Sequence, residues 1–294
     1  MKLPSLEKFA AICCVTTVLC MVLAGFLPPS EISYAAETEQ VVYVSLPWLS
    51  SMAGFIAGST IKIQSVSTWN ASGELRVSKK PPKNSTIIAL DPLDSSRLGF
   101  IRGDAGLFLL YENLPIEISS RGMLAFNPSI LPFLSQRMLK ILCELNPDNY
   151  SFYQRRMAEF QSRLESTVEV GHSLIHDIQI LDLTGAISPW LRAASGKVVR
   201  PPDELWKAWI GNTRTPDLAL AVKEAESRGW WILMDAWTPA QIKTRVSSPG
   251  KLISLPPPGS EYDFFTYLHD IYTNMDESFR QIKRSEKVNP QKRS

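Results

Sequence analysis

His172 and His176 stand four residues apart in a stretch of helical period, the spacing at which two imidazoles can face one metal ion, and Asp177 and Asp182 follow closely. Near a helix C-terminus the same pair is explained more simply as solvated side chains whose cationic form the helix dipole favours. His269, between Leu268 and Asp270, reads as a surface residue. Asp91-Pro92-Leu93-Asp94 puts two carboxylates just after a strand-like run, where α/β proteins often bind ligands, but a helix N-cap accounts for them as well. Ser248 to Lys251 fits Ser-x-x-Lys, yet its Pro249 and Gly250 suit a turn and not the helix that a lysine-activated serine needs. There is no Gly-x-Ser-x-Gly elbow, Walker loop, Gly-x-Gly-x-x-Gly turn or His-Glu-x-x-His helix, so no nucleophile is assigned and no enzyme is expected. Six of the eight tryptophans, Trp190, Trp206, Trp209, Trp230, Trp231 and Trp237, fall in the C-terminal half, where an aromatic core is the default reading and an organic-ligand cleft the alternative. Trp48 and Trp69 follow N-terminal strand candidates and would border a cleft.

The elements that must position these residues alternate. Val41–Leu46 is a strand, 49–57 a helix and 61–66 a second strand. A polar loop, 68–83, leads to a continuous apolar run at 86–90 of the kind buried on both faces of a parallel sheet, and 107–111 is a further strand. Ile130, Leu134, Met138, Ile141 and Leu145 then recur at helical spacing. After Asn146-Pro147, with Asp148 as cap, Tyr153, Met157, Phe160, Leu164 and Val168 mark a second helix that no proline interrupts until about residue 177. At 1.5 Å per residue such a helix is about 45 Å long, enough to run the height of a two-lobed protein. The alternation resumes with a strand at 179–183, a helix at 188–194 and a helix from Thr215-Pro216 to Gly229, with Thr215 as cap. A strand at 230–234, a helix opening at Thr238-Pro239, a strand at 252–255 and a last helix from Phe264 to Ile282 complete the pattern. The expected fold class is α/β, two lobes of parallel-rich sheet with flanking helices joined by one long linking helix. The segments are 37–147 for the N-terminal lobe, 148–177 for the linker, 178–282 for the C-terminal lobe and 283–294 for a basic tail.

The 294 residues are 45% apolar and 20% charged, with a net charge of +2, which is globular and gives no electrostatic case for nucleic acid. Lys2 and Lys8 precede an uncharged run from Phe9 to Leu27, then Pro28-Pro29 and the small-x-small pattern at 34–36. Residues 1–36 read as an export signal, with a retained anchor through 9–27 as the alternative, because nineteen residues can span a core of ~30 Å. Cleavage would remove Cys13, Cys14 and Cys20 and leave Cys143 alone, a buried small hydrophobe with no disulfide partner.

An exported chain with Phe126-Asn127-Pro128, then Asn146-Pro147-Asp148-Asn149 and Phe152-Tyr153 opening a long helix, resembles the solute-binding proteins of ABC-type zinc and manganese importers. The resemblance implies ligand capture between two lobes, delivery to an ABC permease in the membrane, a monomer, and a divalent metal, zinc or manganese, as the bound ion. It also implies four ligand positions, and none keeps its usual residue. The loop after the second strand is Thr68-Trp69-Asn70-Ala71, the second position is Met123, the third is Thr184, and the closing aspartate falls near Leu255-Pro256. A thioether, a hydroxyl and a proline cannot replace imidazole and carboxylate around zinc. The expected cleft-lining residues are Trp69, Asn70, Glu74, Met123, Thr184 and Asp235, of which Asn70, Glu74 and Asp235 carry the oxygens that could touch a metal. The expected function is that of an extracytoplasmic solute-binding component of an ABC-type metal-ion importer. The alternative is a ligand-free scaffold or protein-interaction module derived from one.

Overall fold

Continuous Val, Ile and Leu runs bounded by polar turns form central parallel strands because both faces must be covered by helices. In the computed structural model, which describes residues 40–111, 127–246, 250–258 and 263–288, two such sheets form. Residues 1–36, read from sequence as an export signal, Met123, Ser248-Pro249 and the tail from Asn289 lie outside the described residues.

The first sheet has order β2-β1-β5-β6, from β1 (Val41–Val44), β2 (Lys62–Ser65), β5 (Thr86–Ala89) and β6 (Leu107–Leu109), all parallel. Helix α1 (Pro47–Ala57) crosses from β1 to β2, and α2 (Pro92–Arg97) follows β5 with Asp91 accepting from the Asp94 amide as its N-cap. The segment read from sequence as a polar loop, 68–83, contains instead an antiparallel hairpin, β3 (Ser67–Trp69) with β4 (Leu75–Val77). It departs from the C-terminal end of β2.

Helix α3 (Leu131–Leu145) ends at Asn146, and a 3-10 turn (Pro147–Asn149) leads into α4 (Tyr150–Ile175), the long linking helix. Asp148 lies within that turn, and α4 starts without a side-chain cap. The second sheet repeats the order of the first, β10-β9-β7-β8, from β7 (Ile180–Asp182), β8 (Val198–Val199), β9 (Trp231–Asp235) and β10 (Leu252–Leu255). Helix α5 (Ser188–Ala194) crosses from β7 to β8, α6 (Asp203–Ile210) and α7 (Thr215–Ser227) precede β9, α8 (Ala240–Lys243) precedes β10, and α9 (Phe264–Val288) closes the chain. Thr215 is the first residue of α7 rather than its cap; Arg214, at φ 50, takes the cap position.

One apolar cluster runs through both lobes. It joins Val42, Leu49 and Ile88 of the first to Ile180, Trp190 and Leu233 of the second by way of Phe160 and Leu164 on α4. Where α1, α4 and α9 meet, Phe55, Phe160 and Phe265 make three edge-on contacts at centroid separations of 5.1–5.8 Å. Arg156 closes this junction, its guanidinium 4.2 Å from the Phe55 ring centre and its Nε donating to Phe55 O at 3.0 Å. A second cluster, with Trp209, Leu218 and Ile232, fills the other face of the C-terminal sheet.

Candidate functional site

In an open parallel sheet ligands sit outside the carboxyl ends of the strands, at the point where the strand order reverses. That point lies between β1 and β5 in the first sheet and between β7 and β9 in the second. The residues leaving these four strands line the candidate site.

At the N-terminal reversal, Asp94 is buried, receives the Ser45 hydroxyl in a short hydrogen bond and accepts from the Leu90 amide at 3.0 Å. Burial pushes its carboxyl above the ordinary value, against the lowering effect of those two donors. At the C-terminal reversal, Asp235 is wholly buried at the end of β9. Its Oδ1 accepts from Gly185 N at 2.8 Å, and its Oδ2 accepts from Ala186 N at 2.8 Å and Ile187 N at 3.2 Å. Three backbone amides that approach the start of α5 would make a ready anion site, and the chain's own carboxylate fills it. Thr238 fixes the turn beyond β9, donating to Leu183 O at 2.8 Å and accepting from Asp235 N at 2.9 Å.

Thr184 is likewise buried, with its hydroxyl donating to Asp182 Oδ1 at 2.6 Å. Arg200 Nη1 donates to Thr184 O at 2.8 Å and Asp182 Oδ2 at 3.2 Å, while its guanidinium stacks 4.6 Å from the Trp206 ring. Tyr267 on α9 donates to Pro256 O at 2.8 Å, and burial together with the nearby Asp235 charge holds its phenol well above the ordinary value. Pro256 follows Leu255, the place of the expected closing aspartate.

From the other lobe comes the β3–β4 hairpin. Asn70 shapes its tip: Oδ1 accepts from Ser72 N at 2.9 Å and Glu74 N at 2.8 Å, and Nδ2 donates to Glu74 Oε2 at 2.8 Å. Trp69 meets Trp237 edge-on with centroids 5.4 Å apart, and Trp237 Nε1 donates to Gly73 O at 2.7 Å. The structure thus brings Trp69, Asn70 and Glu74 on the hairpin to the lobe junction, and Thr184 and Asp235 to the facing strand ends. Trp48 is instead a core residue of α1. The residue that joins the two sides, Trp237, carries the aromatic signal seen in sequence but sits two residues beyond an apolar strand, where tryptophan usually means core.

These donors do not fit a divalent metal. Asp235 faces amides on both oxygens, Thr184 points its proton at a carboxylate, and Asn70 and Glu74 bind one another. Among the described residues no group of three His, Cys, Asp or Glu side chains could hold an ion. The His172 and His176 rings lie 5.0 Å apart, but their Nδ1 atoms bond Ala194 O and His172 O, and His176 Nε2 pairs with Asp177 at 3.0 Å. No described helix is long and apolar enough to cross a membrane.

No family model matches the sequence, and no curated protein matches it. Solved structures do match the fold. A crystal structure of ZnuA superposes at TM-score 0.58 with 13% identity over 81% of this chain and 98% of that one. The laminin-binding protein Lmb of Streptococcus agalactiae, described as an adhesin with metal-transporting activity, gives 0.57 at 12% identity over 81% and 99%. A periplasmic metal-binding protein from Candidatus Liberibacter asiaticus gives 0.54 at 11% identity over 82% and 99%. In fold, therefore, the chain resembles the solute-binding proteins of ABC-type zinc and manganese importers, with 11–13% sequence identity to these structures.

Proposed function

We propose that the chain is the extracytoplasmic solute-binding component of an ABC-type importer of the metal-ion class, with lobes 37–147 and 178–282 on a linking helix 148–177, an export signal 1–36 and a basic tail 283–294. The observation that carries this reading is the pair of parallel sheets of identical strand order, with one helix between them and their carboxyl ends brought together at the lobe junction. That arrangement serves capture between lobes and delivery to a membrane permease, and needs no covalent chemistry. The proposed capture site is the cleft at Trp69, Asn70, Glu74, Thr184 and Asp235, with Met123, outside the described residues, as the further expected member; because these donors do not fit a divalent metal, no metal is assigned to the site.

A second reading is favoured by one specific observation: the polar groups at the described cleft positions are engaged by partners within the chain. On this reading the chain is a ligand-free scaffold that keeps the fold for assembly with an envelope or permease partner. Calorimetric titration with zinc and manganese, with metal analysis of the purified chain, separates the two. Stoichiometric binding supports metal capture; no heat, with the chain still retained on the neighbouring permease, supports the scaffold. Failure to bind metal and to associate with any permease or envelope partner would overturn both. The mass of the mature N-terminus distinguishes a cleaved signal from an anchor through 9–27.

A further inference from the structure

Trp237 packs against a glycine of each lobe, at positions where no side chain would fit. Gly73, at φ +75, leaves so little room that a Cβ there would lie 2.7 Å from the indole Nε1. A Cβ on Gly185, in the other lobe, would lie 2.2 Å from Trp237 O. Both partners are also built before they meet. On the C-terminal side, Thr238 and Asp235 fix the turn, and Lys243 Nζ donates to Ala236 O at 2.7 Å. On the N-terminal side, the Asn70 side chain and the Gly73 N to Asn70 O bond at 2.9 Å set the hairpin tip so that Gly73 O presents a lone pair outward. The hydrogen bond joining them spans 164 residues of sequence. It forms a second junction between the lobes, separate from the Phe55, Phe160 and Phe265 contact on the linking helix.

We infer that Trp237 is an internal latch: its indole closes the hairpin of the first lobe onto the strand ends of the second without any cargo, so that the chain rests in the closed form. A binding protein that closes on cargo is shifted to the closed state by contacts that the cargo makes there and not in the open one. Here a hydrogen bond and an edge-on aromatic contact come from the chain itself, and a solute entering between β7 and β9 would first have to displace the indole. The inference does not depend on a role in transport, because it concerns only the distance between lobes.

The test is a distance measurement by double electron–electron resonance on the full chain, with its four native cysteines changed to serine and spin labels at Ser96→Cys on α2 and Glu226→Cys on α7, both exposed positions. The unmodified latch should give one narrow distance, the same in chelator and in excess zinc. Trp237→Phe, which keeps a ring but loses the donor, should shift the distribution to longer distance and broaden it. Gly73→Ala, which obstructs the indole, should do so more strongly. If Gly73→Ala fails to fold, as far-UV circular dichroism would show, Trp237→Phe decides alone. A broad distribution in the parent chain, a parent distance that shortens on adding zinc, or a Trp237→Phe distribution identical to the parent would overturn the latch. Metal binding measured by calorimetry is a separate readout, so failure of the transport reading would leave this result standing.

Discussion

Asp235 shows how one side chain can remove a binding site by filling it. Its carboxylate supplies the acceptor that Gly185, Ala186 and Ile187 would otherwise seek in a ligand. Truncation leaves three amides facing a dry void, so Asp235→Ala should cost at least about 3 kcal/mol in urea unfolding, and Asp235→Asn less, since one oxygen remains. A cost below about 1 kcal/mol would mean that water or a bound anion takes the carboxylate's place. Asp94 makes a different prediction, because burial raises its folded-state pKa. The folded chain then holds a proton that the unfolded chain has released, so stability is undiminished below about pH 4 and falls as pH rises from there through the raised folded value. Asp94→Asn should flatten that decline while other carboxylates titrate as before, which unfolding curves across a pH series would show. Ser45→Ala should move the decline to higher pH, because the hydroxyl that favours the charged form is gone.

Among the elements, those whose burial is uniform could be read from sequence and those at edges could not. The apolar run at 86–90 and the 3–4 spacing of Phe160 and Leu164 became β5 and α4 because nothing competes with a period that matches the buried face. The β3–β4 hairpin escaped because its strands are three residues long and mostly half-buried or exposed, although Thr68, Trp69 and Val77 are strand formers around an Asn70–Gly73 turn. Helix α6 escaped as well, though Pro201-Pro202 followed by Asp203-Glu204 is a legible helix start. The candidate site was legible only in part: the strands that carry Thr184 and Asp235 to their ends follow from apolar runs, but the 68–83 segment is a hairpin and not a loop, Trp48 is core, and the bonds of Asp235 join residues 48–50 apart in sequence. Packing between elements also reverses a local rule at Gly171. In the interior of α4, alanine should stabilise an exposed helix by up to about 1 kcal/mol. Here a Cβ would come within 2.4 Å of the Tyr272 ring on α9. Overpacking of this kind costs about 1–3 kcal/mol, so Gly171→Ala should lower the thermal midpoint, and Gly171→Ala with Tyr272→Leu should recover part of the loss.

At the scale of the whole molecule, the question is whether two lobes behave as two. Each has its own sheet, and at this size separate unfolding would be the ordinary expectation. Against that stands a single apolar cluster that contains Val42, Leu49 and Ile88 of one lobe, Ile180, Trp190 and Leu233 of the other, and Phe160 and Leu164 of α4. Unfolding either lobe alone would strip one flank of α4 and expose the apolar residues of the other, at about 25 cal/mol for each Å² uncovered. The linking helix is therefore a common core element and not a tether, and the lobes should lose structure together. Tryptophan fluorescence reads chiefly the C-terminal lobe, where six of the eight indoles lie, whereas far-UV circular dichroism reads the helices of both. In guanidinium the two signals should follow one coincident transition. Phe160→Ala should move both midpoints down together, by roughly 3–5 kcal/mol in extrapolated stability. A fluorescence transition that separates from the dichroism transition in the parent chain would show instead that the lobes are independent and that α4 merely connects them.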